Sequence, residues 1–289
     1  MKLLSFGEII WDVFPDAAHI GGAPLNLAAH ASMQGADSYI LSAIGRDDLG
    51  ERALCEIAQL GVKADHVSVN LAPTGQCIVT LDENGVPSYN VLSGTSYDSI
   101  ALPSVSTADR FDVLAFGTLA LRGERNRQTV KALMDSVSFP VIFSDLNIRP
   151  PFYSDESISF CLENADIVKI SDEELPTVTL SALGDSLPVE QAAVALARKY
   201  PQLKLVIITL GAKGSFAYDA ENGESYTCPA AEATVVSTVG AGDSFGATFL
   251  TQYFDGKTIP ECLAIASRVS AYVVSNTGAV PKYDIKGFI

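Results

Sequence analysis

Short apolar runs alternate with segments of helical periodicity along most of the 289 residues, and this alternation is the strongest constraint on the fold. Apolar runs of about four to eight residues are typical of buried strands, and apolar residues every three or four positions are typical of helices. We predict strands at residues 3–6, 38–44, 113–116, 141–144, 167–170 and 205–209, and helices at 24–34, 49–60, 126–136, 189–199, 243–252 and 259–275. Strands that alternate with helices form a mostly parallel sheet covered on both faces, so we expect a single α/β domain over residues 1–289.

Two segments depart from this alternation and have the pattern of extra strands outside the main sheet. The first is residues 11–14, followed by a polar turn and by Ile20, Gly21 and Gly22. The second consists of residues 76–81 and 87–92, which flank a turn sequence from Asp82 to Gly85. We expect a small β lid, formed by residues of about 12–22 and 75–98, that excludes water when it closes over a substrate. Ordinary edge hairpins are the alternative.

Composition and charge narrow the classes of function. Hydrophobic residues make up 48% of the chain, and no run approaches the roughly 18 apolar residues of a membrane span. The net charge of −15 argues against binding to nucleic acid or to anionic membranes. The five cysteines are scattered without a CxxC pair, and the N-terminus has no signal-peptide pattern, so we expect a cytoplasmic protein. We interpret His19, His30 and His66, which are far apart in the sequence, as structural or surface residues.

A predicted strand–turn–helix segment near residue 240 is the most informative motif. An apolar strand at 233–236 leads into a turn of Gly240, Ala241 and Gly242, and a helical pattern begins at about Asp243. Glycines let backbone N–H groups approach a ligand closely, and a helix start attracts anions. Because a carboxylate repels an anion, Asp243 makes sense as a base that takes a proton from a hydroxyl group attacking a bound phosphoryl group.

Two alternatives stay open for this motif on its own residues. Asp is a favoured helix N-cap and Gly-Ala-Gly is a common turn, so the segment could be purely structural. Gly240, Gly242 and Gly246 also resemble the dinucleotide fingerprint, which usually opens the first βα unit and has an acidic partner about 20 residues on. Here the next acidic residues are Asp255 and Glu261, in a polar turn and at a predicted helix start.

Polar residues that suit a hydroxylated ligand lie near the N-terminus. Asp12 follows the first predicted strand and can accept hydrogen bonds from a polyol. Gly21 and Gly22 permit a bend where the lid would join the core, and Asn26 falls in the next helical turn, where its amide can donate and accept. A solvated loop aspartate and a plain capping residue are the alternatives.

The strand predicted at 141–144 is followed by alternating polar residues. If the chain stays extended, Asp145, Asn147 and Arg149 lie on one side. Arg149 could then pair with a ligand phosphate or with an internal carboxylate, and the sequence leaves both open.

Two later strand ends have features of a nucleotide and metal site. Carboxylates at 172–174, after Ser171, could position Mg²⁺ through water, although acidic residues at a helix start are also favourable for structural reasons. Thr209, Gly211 and Gly214 form a strand end and glycine turn that could admit a nucleotide close to the backbone, yet the Walker A pattern occurs nowhere.

Taken together, these motifs resemble the ribokinase-like carbohydrate kinases, also called the PfkB family. The resemblance rests on two signatures, GGAPLN at 21–26 with IGRDDLG at 44–50, and TVGAGDSF at 238–245. The intermediate motifs occur in the family's order, so the resemblance spans nearly the whole chain. GExxxDxxP at 7–15, GGAP at 21–24 and VKISDEE at 168–174 look most like bacterial fructokinases.

The resemblance implies a ribokinase-like three-layer sandwich with a central, mostly parallel sheet and a small β lid. It implies ATP-dependent phosphorylation of a sugar, with Asp243 as the base and Gly240, Ala241 and Gly242 as the anion hole. The implied substrate contacts are Asp12, Gly22, Asn26, Arg149 and Asp243. The implied nucleotide contacts are Lys169, Ser171, Thr209, Gly211, Gly214, Gly240, Gly242 and Asn276. Glu174 would hold Mg²⁺ through water.

Two positions depart from the family's pattern. Ser237 stands where the family usually has an Asp that contributes to a monovalent-cation site, so activation by K⁺ is doubtful. Ser171 stands where the family's NxxE motif has Asn, which affects the expected water shell of Mg²⁺, whereas Glu174 is retained.

The sequence therefore predicts an ATP-dependent sugar kinase that phosphorylates a hydroxymethyl group, converting fructose to fructose 6-phosphate. Alternatives are a kinase for ribose, a ketodeoxy sugar acid or a nucleoside, and a non-catalytic sugar-binding regulator, which would not need Asp243. Lys2 is the one Lys or Arg among the first 30 residues, which favours a neutral sugar over an acid. The expected partners are the sugar and ATP, and a homodimer through the lid is the assembly considered.

Overall fold

The alternating apolar runs form a central sheet in a computed structural model that describes residues 1–81, 87–104 and 110–289. The strands are β1 (Lys2–Phe6), β2 (Ile10–Val13), β3 (Ala18–Gly21), β4 (Asp37–Gly45), β5 (Lys63–Asn70), β6 (Gly75–Leu81), β7 (Pro87–Val91), β8 (Val113–Phe116), β9 (Val141–Asp145), β10 (Ile167–Ser171), β11 (Leu205–Thr209), β12 (Ser215–Asp219) and β13 (Glu224–Cys228). The helices are α1 (Ala23–Met33), α2 (Asp48–Gln59), α3 (Glu124–Ser136), α4 (Asp155–Asn164), α5 (Leu175–Leu183), α6 (Val189–Lys199), α7 (Ala241–Phe254) and α8 (Ile259–Val274).

Nine of the described strands form the main sheet, in the order β13-β12-β11-β10-β9-β8-β1-β4-β5. The pairs from β11 to β5 are parallel, and β12 and β13 add an antiparallel hairpin at one edge. Strand order reverses between β8 and β1, and ligands of open α/β sheets bind at such a switch point, beyond the carboxyl ends of the strands.

Helices cover both faces of this sheet, which confirms the three-layer arrangement. Val113 and Ala115 of β8 face a core shared with α1, α2, α7 and α8, whereas Leu114 and Phe116 face a core shared with α3 to α6. Both sides of the central strands are therefore buried, which explains why they are continuous apolar runs rather than alternating ones.

The second sheet has four strands in the order β3-β2-β6-β7, as the departures from alternation predicted. Trp11 anchors it to the main body: the ring is fully buried, its Nε1 donates to Leu49 O at 3.0 Å, and the Arg52 guanidinium lies 4.4 Å from its centroid. Strands β6 and β7 pair as an antiparallel hairpin, whose predicted turn at 82–85 lies outside the described residues.

The IGRDDLG signature at 44–50 forms the corner between the two sheets. Asp47 caps α2 by accepting from Gly50 N at 2.8 Å, and it also accepts from the amide and hydroxyl of Thr74 at 2.8 and 2.6 Å. A Cβ on Gly45 would lie 2.6 Å from Ala72 O, so glycine is required there. This signature therefore has a structural role, holding the start of β6 against the end of β4.

The six predicted strands and six predicted helices are confirmed within a few residues, but the apolar run at 233–236 is not a strand. Val235 and Val236 are exposed in an irregular segment, so the apolar pattern did not reflect burial. Five further elements, α4, α5, β5, β12 and β13, have no counterpart among the predicted strands and helices. Two of these, β5 and β13, are largely half-buried or exposed, and their apolar pattern is correspondingly weak.

Candidate active site

Asp243 lies in the first turn of α7, beside the N-terminal part of α1. Asn26 Nδ2 donates to Asp243 Oδ2 at 2.8 Å, so the GGAPLN and TVGAGDSF motifs, whose two residues are 217 positions apart, meet here. Burial raises the pKa of Asp243, and the Asn26 amide, Lys169 and Arg149 oppose that rise. The carboxylate is half-buried, and one of its oxygens has no hydrogen-bond partner among the described residues, so it can accept a proton from a ligand.

The turn before α7 has the geometry of an anion site. Gly240 is the N-cap residue with φ 80°, a left-handed conformation that favours glycine, and a Cβ there would collide with Ala279 O. Within the described part of the chain, the amides of Gly242 and Asp243 have no acceptor. These N–H groups and the positive end of α7 point to bound negative charge.

The C-terminal segment fixes this turn from behind. The His30 ring, fully buried, bridges Ala279 O at 2.9 Å and the Tyr283 hydroxyl at 3.0 Å. Burial lowers the pKa of His30 to about 4, so the ring is neutral at pH 7. His30 is therefore a structural residue, in line with its interpretation from the sequence.

An ion pair lies next to the turn, at the carboxyl ends of β9 and β10. Lys169 Nζ lies 2.9 and 2.8 Å from the two carboxylate oxygens of Asp145, and both side chains are buried. A Cβ on Gly242 would lie 3.1 Å from the same ammonium. Burial lowers the pKa of Lys169, but Asp145, Glu174 and Asp243 raise it more, so the ammonium stays charged.

Glu174 is the third carboxylate of this region, after Asp243 and Asp145, and its chemistry fits a water-mediated metal contact. Its Oε1 accepts from Ile148 N and its Oε2 from Ser171 N, which leaves one lone-pair site on each oxygen. The described residues hold no cluster of three metal-ligating side chains. Mg²⁺ keeps several waters and binds substrate phosphates, so one such carboxylate is sufficient for an ion that arrives with ATP.

The residues assigned to the nucleotide lie along the edge formed by β10 and β11. Ser171 and Thr209 are register partners at the ends of these strands, and Asp172 N donates to Thr209 O at 2.8 Å. Gly211 starts a short 3-10 helix and has open space at its Cβ position, whereas a Cβ on Gly214 would collide with Cys228 O. The strand followed by a glycine turn is therefore confirmed.

Two of these assigned residues have protein partners. Lys169 is committed to Asp145, as described above, and Asn276 Nδ2 donates to Tyr272 O at 2.7 Å. Asn276 follows the end of α8, where Val274 O accepts from the amides of Val236 and Ser237. Their contacts with a nucleotide stay a prediction, and so does weak K⁺ dependence at Ser237, whose hydroxyl accepts from Val239 N at 3.3 Å.

On the other side of Asp243, the four-stranded sheet presents Asp12. It pairs in register with His19 of β3 and with Cys77 of β6, so the three side chains share one face. Burial raises the pKa of Asp12, and Cys77, His19 and Arg149 oppose this rise. Asp12 is half-buried, so it is accessible to a hydroxylated ligand, as the sequence suggested.

Gly22 joins this sheet to α1 and is the N-cap of that helix. Its φ is 113°, and a Cβ would collide with Glu8 O, so only glycine fits the bend. The bend predicted at the glycine pair is confirmed at Gly22.

Arg149 does not occupy the extended position that alternation predicted. Strand β9 ends at Asp145, and Asn147 has φ 41°, which turns the chain before Arg149. The guanidinium is exposed and forms no ion pair among the described residues. Its charge opposes the rise in the pKa of Asp12 and of Asp243, so the guanidinium lies within electrostatic reach of both carboxyl groups.

A small cavity lies at the switch point between β1 and β8, behind Asp243. Its polar lining includes Glu8, Asp145, Asn147 and Asp243. Glu8 is 4% exposed, and burial raises its pKa to about 7. Glu8 belongs to the GExxxDxxP motif at 7–15, but the motif predicts no role for it, because burial of a carboxyl group is not visible in a sequence pattern.

No helix in the described part of the chain is long and apolar enough to cross a membrane.

Known proteins share this sequence pattern over nearly its full length. "Probable fructokinase-5" of Arabidopsis thaliana is 29% identical, over 96% of this chain and 93% of its own length. "Fructokinase-2" of Solanum habrochaites is 28% identical, over 96% of this chain and 92% of its own.

Solved structures share the fold. A fructokinase of Vibrio cholerae O395, crystallised with fructose, ADP and calcium ion, has a TM-score of 0.81 at 23% identity and covers 99% of this chain and 98% of its own. An uncharacterized sugar kinase of Pyrococcus horikoshii in complex with ATP has a TM-score of 0.79 at 24% identity, and the match covers 96% of this chain and 93% of that one. A 2-dehydro-3-deoxygluconokinase of Thermotoga maritima has a TM-score of 0.82 at 20% identity, and the match covers 100% of this chain and 98% of that one. At these identities the structures support the fold alone.

The sequence model of the pfkB family carbohydrate kinases matches residues 6–285. This match covers nearly the whole sequence and includes both glycine-containing signatures. The chain therefore belongs to the pfkB family of carbohydrate kinases, a family of phosphotransferases.

Proposed function

We propose that this sugar kinase transfers the γ-phosphoryl group of ATP to a hydroxymethyl group of fructose. The observation that carries the proposal is the position of Asp243. Its carboxylate is held by Asn26 at 2.8 Å, and it lies at a helix start whose amides have no acceptor among the described residues. A base beside an anion site suits a hydroxyl that attacks a phosphoryl group.

Each side of Asp243 has its own task in this mechanism. Asp12 and Asn26 would orient the sugar so that one hydroxyl faces Asp243, which accepts its proton as the new P–O bond forms. The amides of Gly242 and Asp243 would stabilise the charge on the transferred group, and the Lys169 ammonium lies behind them. Mg²⁺ bound with ATP supplies charge neutralisation at the phosphates, and Glu174 would hold its waters.

Fructose is favoured over other sugars by two kinds of support. The similar proteins with matched length carry fructokinase names, at 29% and 28% identity. The GExxxDxxP pattern at 7–15 and the GGAP bend resemble the same group. We also infer a cytoplasmic location, for which the five unpaired cysteines are the support. A homodimer through the four-stranded sheet stays a prediction.

A coupled assay of ADP release tests the proposal. The protein is supplied with ATP and Mg²⁺ and then with fructose, ribose, 2-keto-3-deoxygluconate or adenosine in turn. We expect fructose to give the highest kcat/KM, and the Asp243→Asn variant to lose activity with every acceptor. Absence of ADP release above the sugar-free blank with all four acceptors would contradict the kinase mechanism itself.

A second substrate class is favoured by one observation. Arg149 is exposed, has no ion pair among the described residues, and lies within electrostatic reach of Asp12 and Asp243. This cation could bind the carboxylate of a sugar acid, which the count of cations in the first 30 residues did not anticipate. If a sugar acid is the substrate, Arg149→Gln raises its KM by about tenfold or more and leaves the KM for fructose nearly unchanged.

A further inference from the structure

Glu8 is the buried titratable group that the mechanism above leaves without a task. It lies two residues after the end of β1, is 4% exposed, and lines the cavity that Asp243 also lines. A buried carboxyl group is costly unless nearby groups compensate for its lost hydration. A buried carboxyl group in this position must therefore be compensated by nearby groups.

The contacts of Glu8 join it to the start of α1. A Cβ on Gly22, the N-cap of α1, would collide with Glu8 O and lie 3.4 Å from Glu8 Cγ, so the side chain passes directly beneath the glycine bend. Burial raises the pKa of the Glu8 carboxyl group, and the nearby backbone N–H groups of Glu8 itself and of Ala23 oppose that rise. Gly22 supplies no side-chain cap, and the buried Glu8 carboxyl group lines the same cavity as Ala23 and Pro24, where its negative end can compensate the uncapped first turn of α1.

The same turn holds the residue that orients the base. Asn26 lies three residues after Ala23, its backbone N–H donates to Gly22 O at 2.9 Å, and its side chain donates to Asp243 at 2.8 Å. A shift at the start of α1 therefore moves Asn26, and with it the partner of the Asp243 carboxylate.

We propose that Glu8 is a positioning residue for phosphoryl transfer: its carboxyl group fixes the first turn of α1 and, through Asn26, sets the place of Asp243. The proposal rests on the kinase function proposed above. Glu8 itself lies behind the site and acts through α1 rather than on the reacting atoms.

The charges around Glu8 decide its protonation state. Asp243 from α7 and Asp145 from β9 line the same cavity as Glu8, while Arg149, in the loop after β9, acts on it from a longer range. Tyr97, in the short 3-10 helix after β7, is also within electrostatic reach of Glu8, which adds to the rise that burial causes in the pKa of its hydroxyl. Burial raises the pKa of Glu8 to about 7 and Asp243 adds to the rise, so the group is largely a neutral acid below that pH.

A pair of substitutions separates positioning from bulk stability. Glu8→Gln keeps the length and a carbonyl acceptor for Ala23 N–H, whereas Glu8→Ala removes both. We expect Glu8→Ala to lower kcat by about 10- to 100-fold with KM for ATP within about threefold, since a misplacement of about 1 Å can have that effect. Glu8→Gln should stay within about threefold of the wild type at pH 6.5. Glu163→Gln, an exposed site on α4, is the control.

If fructose or another acceptor is phosphorylated, the kcat values of the two Glu8 variants test the proposal. A kcat of Glu8→Ala within twofold of the wild type would overturn it. So would a loss in Glu8→Gln as large as that in Glu8→Ala, because the amide preserves the proposed contact. If Glu8→Ala fails to fold, the Glu8→Gln result and the ligand-free measurement below still decide.

A ligand-free measurement keeps this test distinct from that of the proposed function. A carboxyl group whose pKa is higher in the folded state binds more protons there, so stability falls as pH rises from its ordinary value through about 7. The urea midpoint of the wild type should therefore fall between pH 5.5 and about 8 by more than that of Glu8→Gln. Equal pH dependence in both proteins would overturn the placement of Glu8 whether or not any sugar is phosphorylated.

Discussion

The two sheets of this kinase hold their charged groups in opposite ways. At the carboxyl edge of the nine-stranded sheet, Lys169 and Asp145 are buried and paired at 2.8 Å. On the four-stranded sheet, Asp12 is half-buried and its neighbour His19 is exposed. The first arrangement is fixed before substrates arrive, which suits the transfer step. The second leaves polar groups available to a ligand, which suits sugar binding.

The largest effect is expected where the buried charges are paired. Lys169→Met removes the ammonium and leaves Asp145 buried without its partner. Breaking a buried ion pair from one side lowers the free energy of unfolding by about 3–5 kcal/mol. Urea unfolding monitored by circular dichroism measures this loss at pH 7.5.

Two controls sharpen the Lys169 measurement. Lys204→Met breaks the partly exposed pair with Asp166, at 2.9 Å, and should cost about 1 kcal/mol or less. Burial raises the pKa of Asp145 to about 6, and loss of Lys169 raises it further, so the deficit of Lys169→Met should shrink as pH falls to 5. A deficit equal to that of Lys204→Met would mean that the buried pair of the main sheet is no more important to stability than a partly exposed pair of the same sheet.

The next effect concerns the base at the main-sheet edge. Asp243→Asn keeps the shape and the contact with Asn26 but cannot accept the proton, so we expect kcat to fall by at least about 100-fold. Sugar affinity should change far less. Steady-state kinetics with the best acceptor measure both quantities, and Asp255→Asn, exposed at the other end of α7, is the matched control. If Asp243→Asn keeps the wild-type kcat, Asp243 is not the base.

Sequence patterns predicted the main sheet well because its central strands are buried on both faces. Runs such as residues 113–116 and 205–209 have no other explanation than burial, and glycines at 22 and 240 indicated the two bends. The pattern failed at 233–236, where Val235 and Val236 are apolar yet exposed. A run of apolar residues shows that a segment could be buried, but it does not show whether another part of the fold packs against that segment.

The pairing of charges in the site was beyond what the sequence could supply. Lys169 and Asp145 are 24 residues apart and meet because β9 and β10 are parallel neighbours in register. Asn26 and Asp243 are 217 residues apart. Motif order placed these residues at strand and helix ends, but which of them touch depends on strand order, and strand order is a property of the whole fold.

A smaller effect is expected at the four-stranded sheet. Asp12→Ala should weaken sugar binding by about 1–3 kcal/mol, the cost of leaving a ligand hydroxyl without its acceptor. Calorimetric titration with fructose measures the dissociation constant, and Asp16→Ala, exposed in the turn between β2 and β3, is the control. The kcat of Asp12→Ala should stay closer to the wild type than that of Asp243→Asn. An unchanged dissociation constant would place the sugar elsewhere.

The smallest effect concerns the backbone of the same sheet. If the four-stranded sheet closes over the sugar as a lid, its amide hydrogens should exchange more slowly when fructose is added. We expect slower exchange in β2, β3, β6 and β7, measured by mass spectrometry on peptides that cover these strands. The antiparallel hairpin of β12 and β13 is a matched control, since it lies at the far edge of the main sheet. Equal slowing in both places would indicate general stabilisation by the ligand. Slowing confined to the turns at 209–214 and 238–243 would mean that the small sheet is an ordinary pair of edge hairpins, so that the two sheets differ in exposure but not in movement.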